Sequence, residues 1–470
     1  MAHILIGREE ERAVLESCYS SGTAHFVAIY GRRRVGKTYL VKTHFKDRLF
    51  FNFTGVSNTS YKRQITNFNI EVHNQLGVQI HEFISDWFGA FQLLRNKITQ
   101  SKRKKKVLFI DELPWLDTRN SDFIQALEHF WNGWASTRDD ILLIGCGSAA
   151  SWMLNKLLYN KRGLHNRVTR RLQIEPFSIF ETQLFLKQKG CLYNHYQLAQ
   201  IYMVFGGIPY YLEQINPELS DVQNINTLCF GKSAFFKDEY NLLFSSLFNN
   251  AERHKSVLNL LAKNKAGMTR SDILENTNLS TGGTTTSILK ELEASSFIKK
   301  YPVPGKKEKD HLYKIVDFFS LFYLHHISKV PASDYLYWVN NFNTPRYFTW
   351  AGYSFELVCL THVFQIKKAL GIQGISSDTY TWKSDKAQVD LIIDRKDHVI
   401  NLCEIKFSLI PFKMTKKYSA EIQKKVNQFI STGLSKNKAV FPTIITTYGL
   451  ENSIHNGVFI NKLTMEDILI

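Results

Sequence analysis

The stretch Gly31-Arg32-Arg33-Arg34-Val35-Gly36-Lys37-Thr38 constrains this chain more than any other, because it fits GxxxxGK[ST] and carries the flanks that pattern needs. Before it, FVAIY at 26–30 is a short apolar, β-rich run; from Lys37 onward the pattern turns helical. A strand feeding a glycine-rich turn and then a helix aims successive backbone N–H groups at one point, with the positive end of the helix behind them. That point suits a phosphate chain. Lys37 is then the cation for the β and γ phosphates, and the Thr38 hydroxyl is a ligand for Mg2+.

Two more apolar runs, VLFID at 107–111 and ILLIGCGS at 141–148, are separated by helical segments, as strands buried on both faces of a parallel sheet should be. Asp111 and Glu112 end the first of them, where side chains emerge at the carboxyl edge of such a sheet. Asp111 is the expected Mg2+ acid. Glu112 is placed to orient and polarise an attacking water, the general-base role that hydrolysis requires.

At 470 residues the chain exceeds the ~150 that one core usually serves, so several domains are expected. A net charge of +17 should attract polyanions, nucleic acid first, although a lysine-rich background would give the same balance. The six cysteines show neither CxxC pairs nor a histidine ladder, so no zinc site and no disulfide framework is expected. The charged opening MAHILIGREEERAV and the absence of any run near ~18 apolar residues argue against secretion and membrane insertion. A cytoplasmic location is expected.

With GRRRVGKT, FIDE at 109–112 and GGIP at 206–209, the chain resembles the archaeal-type AAA+ ATPases related to the STAND signalling ATPases. The resemblance implies ATP and Mg2+ as cofactors. It also implies that IGREEE, with Gly7 and Arg8, lies against the adenine, that Ser148 senses the γ phosphate, and that GGIP belongs to a helical lid. Asn166 and Arg167 match a family box ending in Gly-Arg, with Asn166 in place of the glycine. An arginine there can stabilise transition-state charge in a neighbouring subunit of a homo-oligomer; a plain surface salt bridge accounts for it equally well.

Downstream, RSDILENTNLSTGGTTTSILKELEASSFI at 270–298 and the basic hairpin YPVPGKKEKDHLY run in the order of a winged helix. Residues 284–290 should face outward and Lys306, Lys307 and Lys309 should form a wing along phosphates; docking on a protein suits the Ser/Thr-rich helix as well. A long helix is expected over Trp350–Leu370, followed by strands near 378–382, 387–394, 399–406 and 438–446. In CEIKF, period-2 geometry puts Glu404 and Lys406 on one face, beside Asp390 on a neighbouring strand. Two carboxylates and a lysine at one edge can hold Mg2+ and handle a scissile phosphate. The arrangement resembles the PD-(D/E)XK nuclease core, with Glu356 matching its helix acid, Asp390 and Glu404 its metal ligands, and Val389 standing where the PD proline would be.

The expected fold class is multidomain α/β: a P-loop parallel sheet at 1–175, a helical lid at 176–250, a winged helix at 251–335 and a restriction-endonuclease-like domain at 336–470. The expected function is ATP binding and hydrolysis coupled to DNA binding and Mg2+-dependent DNA cleavage. The alternative is a signalling switch or DNA-binding regulator whose nuclease-like domain is inactive.

Overall fold

The computed structural model describes residues 5–469 apart from 80–83, 149–151, 159–165, 249, 278, 280–282, 305–309, 332 and 385–386. The chain divides into two units, Met1–Pro176 and Phe177–Ile470.

In the first unit, His25–Tyr30 (β1), Leu49–Thr54 (β2), Lys106–Asp111 (β3), Ile141–Gly147 (β4) and Arg170–Gln173 (β5) form one sheet in the order β2-β3-β4-β1-β5, every pair parallel. Every residue of β3 and β4 is buried, which is why both read as unbroken apolar runs. Helices Tyr61–Leu76, Trp87–Gln100 and Phe123–Gly133 cover one face with an aromatic cluster in which Trp87 meets Phe123 edge-on at 5.0 Å. The chain leaves β1 for the far strand β2 and returns through β3 and β4. The strand order therefore reverses beside β1, and the loop after β1 opens at the same edge as the ends of β3 and β4.

The second unit begins with helices Ile179–Gln188, His195–Phe205, Pro209–Leu212, Asp221–Cys229 and Glu239–Leu247. Ser178, Asn194 and Ser220 each start a helix through a reciprocal capping box. At GGIP, Gly206 (φ 62°) ends one helix and Pro209 begins the next. Gly207 (φ 67°) accepts a 2.8 Å hydrogen bond from the Phe177 N–H, and a Cβ there would lie 2.1 Å from the Phe177 carbonyl oxygen. The second glycine thus serves a close backbone approach as well as a turn.

Helices Ala251–Lys263, Arg270–Glu275 and Gly283–Ala294 lead into the antiparallel pair Ile298–Tyr301 (β6) and Leu312–Ile315 (β7). Lys306, Lys307 and Lys309 lie outside the described residues. The expectation that 284–290 faces outward fails at Thr285, which is fully buried together with Ile288 and Leu289. A second mixed sheet follows, from Ser377–Lys383 (β8), Gln388–Arg395 (β9), Val399–Lys406 (β10), Ala439–Thr446 (β11) and Asn461–Thr464 (β12), in the order β12-β11-β10-β9-β8. Neighbours are antiparallel from β8 to β10 and parallel from β10 to β12. The helix expected over Trp350–Leu370 is two, Pro345–Thr361 and Val363–Ala369. They break at His362, whose Nε2 accepts the Ile179 N–H at 3.0 Å; burial holds this imidazole's pKa down to about 4 and so keeps it a neutral acceptor.

Gly207→Ala is predicted to destabilise the second unit by about 2 kcal/mol or more, through backbone strain and the clash at Phe177. Gly374→Ala, where a Cβ meets nothing within 4 Å, should stay within about 0.5 kcal/mol of wild type. Denaturant melts of the two variants check this.

Candidate nucleotide site and carboxylate centre

The loop after β1 cannot hold side chains at its ends. Gly31 has φ 140°, and a Cβ on it would lie 2.4 Å from the Ile174 carbonyl oxygen just beyond β5. Gly36, at φ 90°, delivers the chain into the helix Lys37–His44. Between them Arg32 and Val35 are buried, Arg33 is half-buried and Arg34 takes φ 74°. Lys37 is 6% exposed, and its ammonium donates to the carbonyls of Gly31 (3.0 Å) and Arg32 (2.8 Å). Burial pushes its pKa down, against the pull of Cys146, Glu112 and Asp111.

Parallel pairing carries β3 to the same edge. The Thr38 hydroxyl donates to Asp111 Oδ2 at 2.6 Å, and Asp111 Oδ1 accepts the Glu112 N–H at 2.9 Å. Two hard oxygens at this separation suit Mg2+, and Asp111 is fixed by contacts on both of its oxygens. Glu112 turns off the strand at φ 50°. Its carboxylate accepts the Ser148 hydroxyl at 2.9 Å and the Ser148 N–H at 3.2 Å. Burial and Asp111 raise its pKa, against Lys37 and Ser148.

Gly7 and Arg8 both take left-handed backbone, φ 62° each. The Arg8 guanidinium donates to the carbonyls of Glu175 (2.6 Å) and Val35 (3.4 Å), tying the N-terminal element to the P-loop and to the segment after β5. Arg167 is exposed on a turn in which Asn166 has φ 58°. Asparagine tolerates that conformation, so the turn needs no glycine there.

In the second unit, Glu404 is 1% exposed rather than on a solvated face. Its Oε1 is 3.0 Å from the Lys406 ammonium and accepts the Tyr418 hydroxyl at 2.6 Å; its Oε2 accepts from Lys425 at 2.7 Å. Burial raises its pKa, but the two ammonium groups outweigh burial and the net shift is downward. Asp390 Oδ2 accepts the Ile405 N–H at 3.2 Å; burial and Glu404 hold its pKa up to about 6. Glu356, on the helix Pro345–Thr361, is held up to about 8 by burial and by Asp390. Burial thus holds the carboxyls of Glu356 and Asp390 up, whereas both oxygens of Glu404 are taken by ammonium and hydroxyl partners. Among the described residues no group of three or more His, Cys, Asp and Glu side chains is arranged to hold a metal ion. Tyr418 and Lys425 escape the sequence reading, although their seven-residue spacing puts them on one face of the helix Lys416–Ser431.

Residues 5–215 match the family model described as an ATPase domain predominantly from Archaea. An uncharacterized protein of Methanocaldococcus jannaschii is 24% identical over 439 residues, 90% of this chain and 92% of that protein. Among solved structures, a Walker-type ATPase of Pyrococcus abyssi aligns at 15% identity and a TM-score of 0.48, over 68% of this chain and 96% of its own. The ORC2 protein of Aeropyrum pernix aligns at 12% identity and a TM-score of 0.42, over 73% and 95%. The parallel P-loop sheet and the family match together give the N-terminal part of this chain an ATPase-type architecture. No helix among the described residues is long and apolar enough to cross a membrane.

A carboxyl whose folded pKa is raised costs stability as pH climbs from its unfolded value to its folded one, and costs nothing below both. Glu356, raised to about 8, therefore predicts that Glu356→Gln in EDTA raises the melting temperature by several degrees at pH 8 and leaves it unchanged at pH 4. Thermal melts across this range check the sign.

Proposed function

We propose that this chain binds Mg2+·ATP at Gly31–Thr38 and hydrolyses it with Glu112 as the general base. The observation that carries this reading is the continuous polar path from Thr38 through Asp111 to Glu112 and Ser148 at one sheet edge. Lys37 exchanges its loop carbonyls for the β and γ phosphate oxygens, and the loop amides hold the phosphate chain. Thr38 and Asp111 would hold the Mg2+, which would supply positive charge against the phosphates. Ser148, at the next strand end, holds the Glu112 carboxylate until the γ phosphate draws the Ser148 hydroxyl away and frees Glu112 to polarise water. Arg8 keeps the loop against the segment after β5. Arg167 lends positive charge to the phosphates of a neighbouring subunit.

The residues Glu356, Asp390, Glu404 and Lys406 support a second activity for the C-terminal part, Mg2+-dependent cleavage of DNA: Asp390, Glu404 and Glu356 would turn toward a metal once Glu404 gives up its contacts with Lys425 and Tyr418, and Lys406 would meet the scissile phosphate. The net charge of +17 favours a polyanionic substrate. On this reading residues 1–175 are the ATPase, 176–250 a lid, 251–335 a winged helix that contacts DNA, and 336–470 the nuclease-like domain. The protein acts in the cytoplasm.

Lys37→Ala should abolish ATP binding, and Glu112→Gln should bind ATP but turn it over about 100-fold more slowly or worse, the usual scale for a general base. Full turnover by Glu112→Gln would remove it from the mechanism. Incubating plasmid DNA with Mg2+ and wild type, Asp390→Asn or Lys406→Ala tests the second activity. Nicking by wild type alone supports it, and equal nicking by all three refutes it.

A further inference from the structure

The segment that leads into β3 gathers positive charge at the edge where the strands begin, Lys106 pairing with Ile141, opposite the edge that carries Gly31–Thr38. From Trp87 to Lys106 the chain carries Arg95, Lys97 and the run Lys102-Arg103-Lys104-Lys105-Lys106, and no Asp or Glu. The fold uses two of these cations: Lys105 donates to the carbonyls of Ser21, Thr23 and Asp139, and Lys106 pairs with Asp140 at 2.7 Å. Arg95, Lys102 and Lys104 are exposed, and no carboxylate or other acceptor among the described residues holds their charged groups. Exposed Asp139 offsets only part of this charge.

Beside that loop, Gln92, Arg95, Asn96 and Gln100 of the helix Trp87–Gln100 line a cleft of about 490 Å3 together with Trp134 and Arg138. Arg138 is fixed. Its Nε and Nη2 donate to the two oxygens of Asp140 at 2.7 and 2.6 Å, and its guanidinium lies 4.9 Å from the centre of the Trp134 ring. The Arg95 guanidinium lies 5.4 Å from the same centre, held by the ring alone. Gln92 donates to Asn96 Oδ1 at 3.1 Å, which leaves the Gln92 oxygen and the Asn96 amino protons unused.

We propose that this cleft and the loop Lys102–Lys104 bind single-stranded nucleic acid, with Trp134 as the platform for one unpaired base and Arg95, Lys102 and Lys104 as phosphate contacts. Arg95 is free to move from the ring to a phosphate as the base arrives, while the amides of Gln92, Asn96 and Gln100 offer donors and acceptors to base edges. A cleft of this size admits an unstacked nucleotide, whereas a base inside a duplex keeps its faces covered. An acidic peptide would use the cations and have no need of the ring. The site lies about 20 Å from the P-loop edge, the length of a strand, and rests neither on ATP turnover nor on DNA cleavage.

The test uses the full-length, nucleotide-free protein in EDTA and the fluorescence anisotropy of a short labelled oligo-dT and of its dA·dT duplex. Trp134→Ala should weaken single-strand binding about fivefold or more, the low end for one stacked base, and leave duplex binding unchanged, while Trp134→Phe stays near wild type. Arg95→Gln should reduce the slope of log affinity against log salt by about 0.7, the value of one phosphate contact on a single strand. Lys187→Gln, an exposed charge removed from the second unit, should alter neither quantity. Should Trp134→Ala fail to fold, Arg95→Glu at its exposed position replaces it, with the same loss expected. No binding of oligo-dT by wild type, wild-type affinity in the folded variants, or an equal loss on the duplex overturns the proposal. Binding of polyglutamate with the same dependence on Trp134 overturns it in favour of an acidic protein partner.

Discussion

The 2.6 Å hydrogen bond from Thr38 to Asp111 is the contact on which the first unit's chemistry depends. It joins the helix after the P-loop to the end of β3 across the intervening β4, and it exists only because β3, β4 and β1 run parallel and end at one edge. Given that edge, the other groups follow in order. Asp111 is held through the Glu112 N–H, Glu112 is held by Ser148 at the end of β4, and Lys37 is folded over the loop carbonyls. The site needs rigid sheet geometry, and a core of fully buried strands and interlocked aromatic rings supplies it.

The two units use charge in opposite ways. The P-loop gathers backbone dipoles and one buried ammonium to receive an anion. The C-terminal sheet gathers carboxylates and holds Glu404 with cations from two elements, Lys406 from β10 and Lys425 from the following helix. Asp390 and Glu356 stay high in pKa because burial, and then the charge of Glu404 on Asp390 and of Asp390 on Glu356, outweigh the nearby cations.

Several parts of this architecture are legible in the sequence because they rest on local rules. GRRRVGKT, the apolar runs β1, β3 and β4, and the period-2 pairing of Glu404 with Lys406 all announce themselves. β2 and β5 do not. Leu49–Thr54 buries only Phe51 and Phe53 and sets Asn52 and Thr54 between and after them, too short an apolar signal to stand out, and Arg170–Gln173 is an edge strand whose charged residues face solvent. β12, four residues long, is fixed by pairing with β11 rather than by its own composition. The break at His362 depends on an amide donated from Ile179, far away in sequence, and Thr285, which shares a helix face with Ile288, Leu289 and Leu292, is hidden by its own polarity.

The account stands or falls on whether Thr38 and Asp111 hold a metal for the nucleotide. Calorimetric titration of ATP into wild type and Asp111→Asn, each with Mg2+ and with EDTA, measures this directly. The account predicts that Mg2+ tightens ATP binding about tenfold or more in wild type and has little effect in Asp111→Asn, a loss on the scale of one charge-assisted contact. Equal Mg2+ dependence in the two proteins would contradict it.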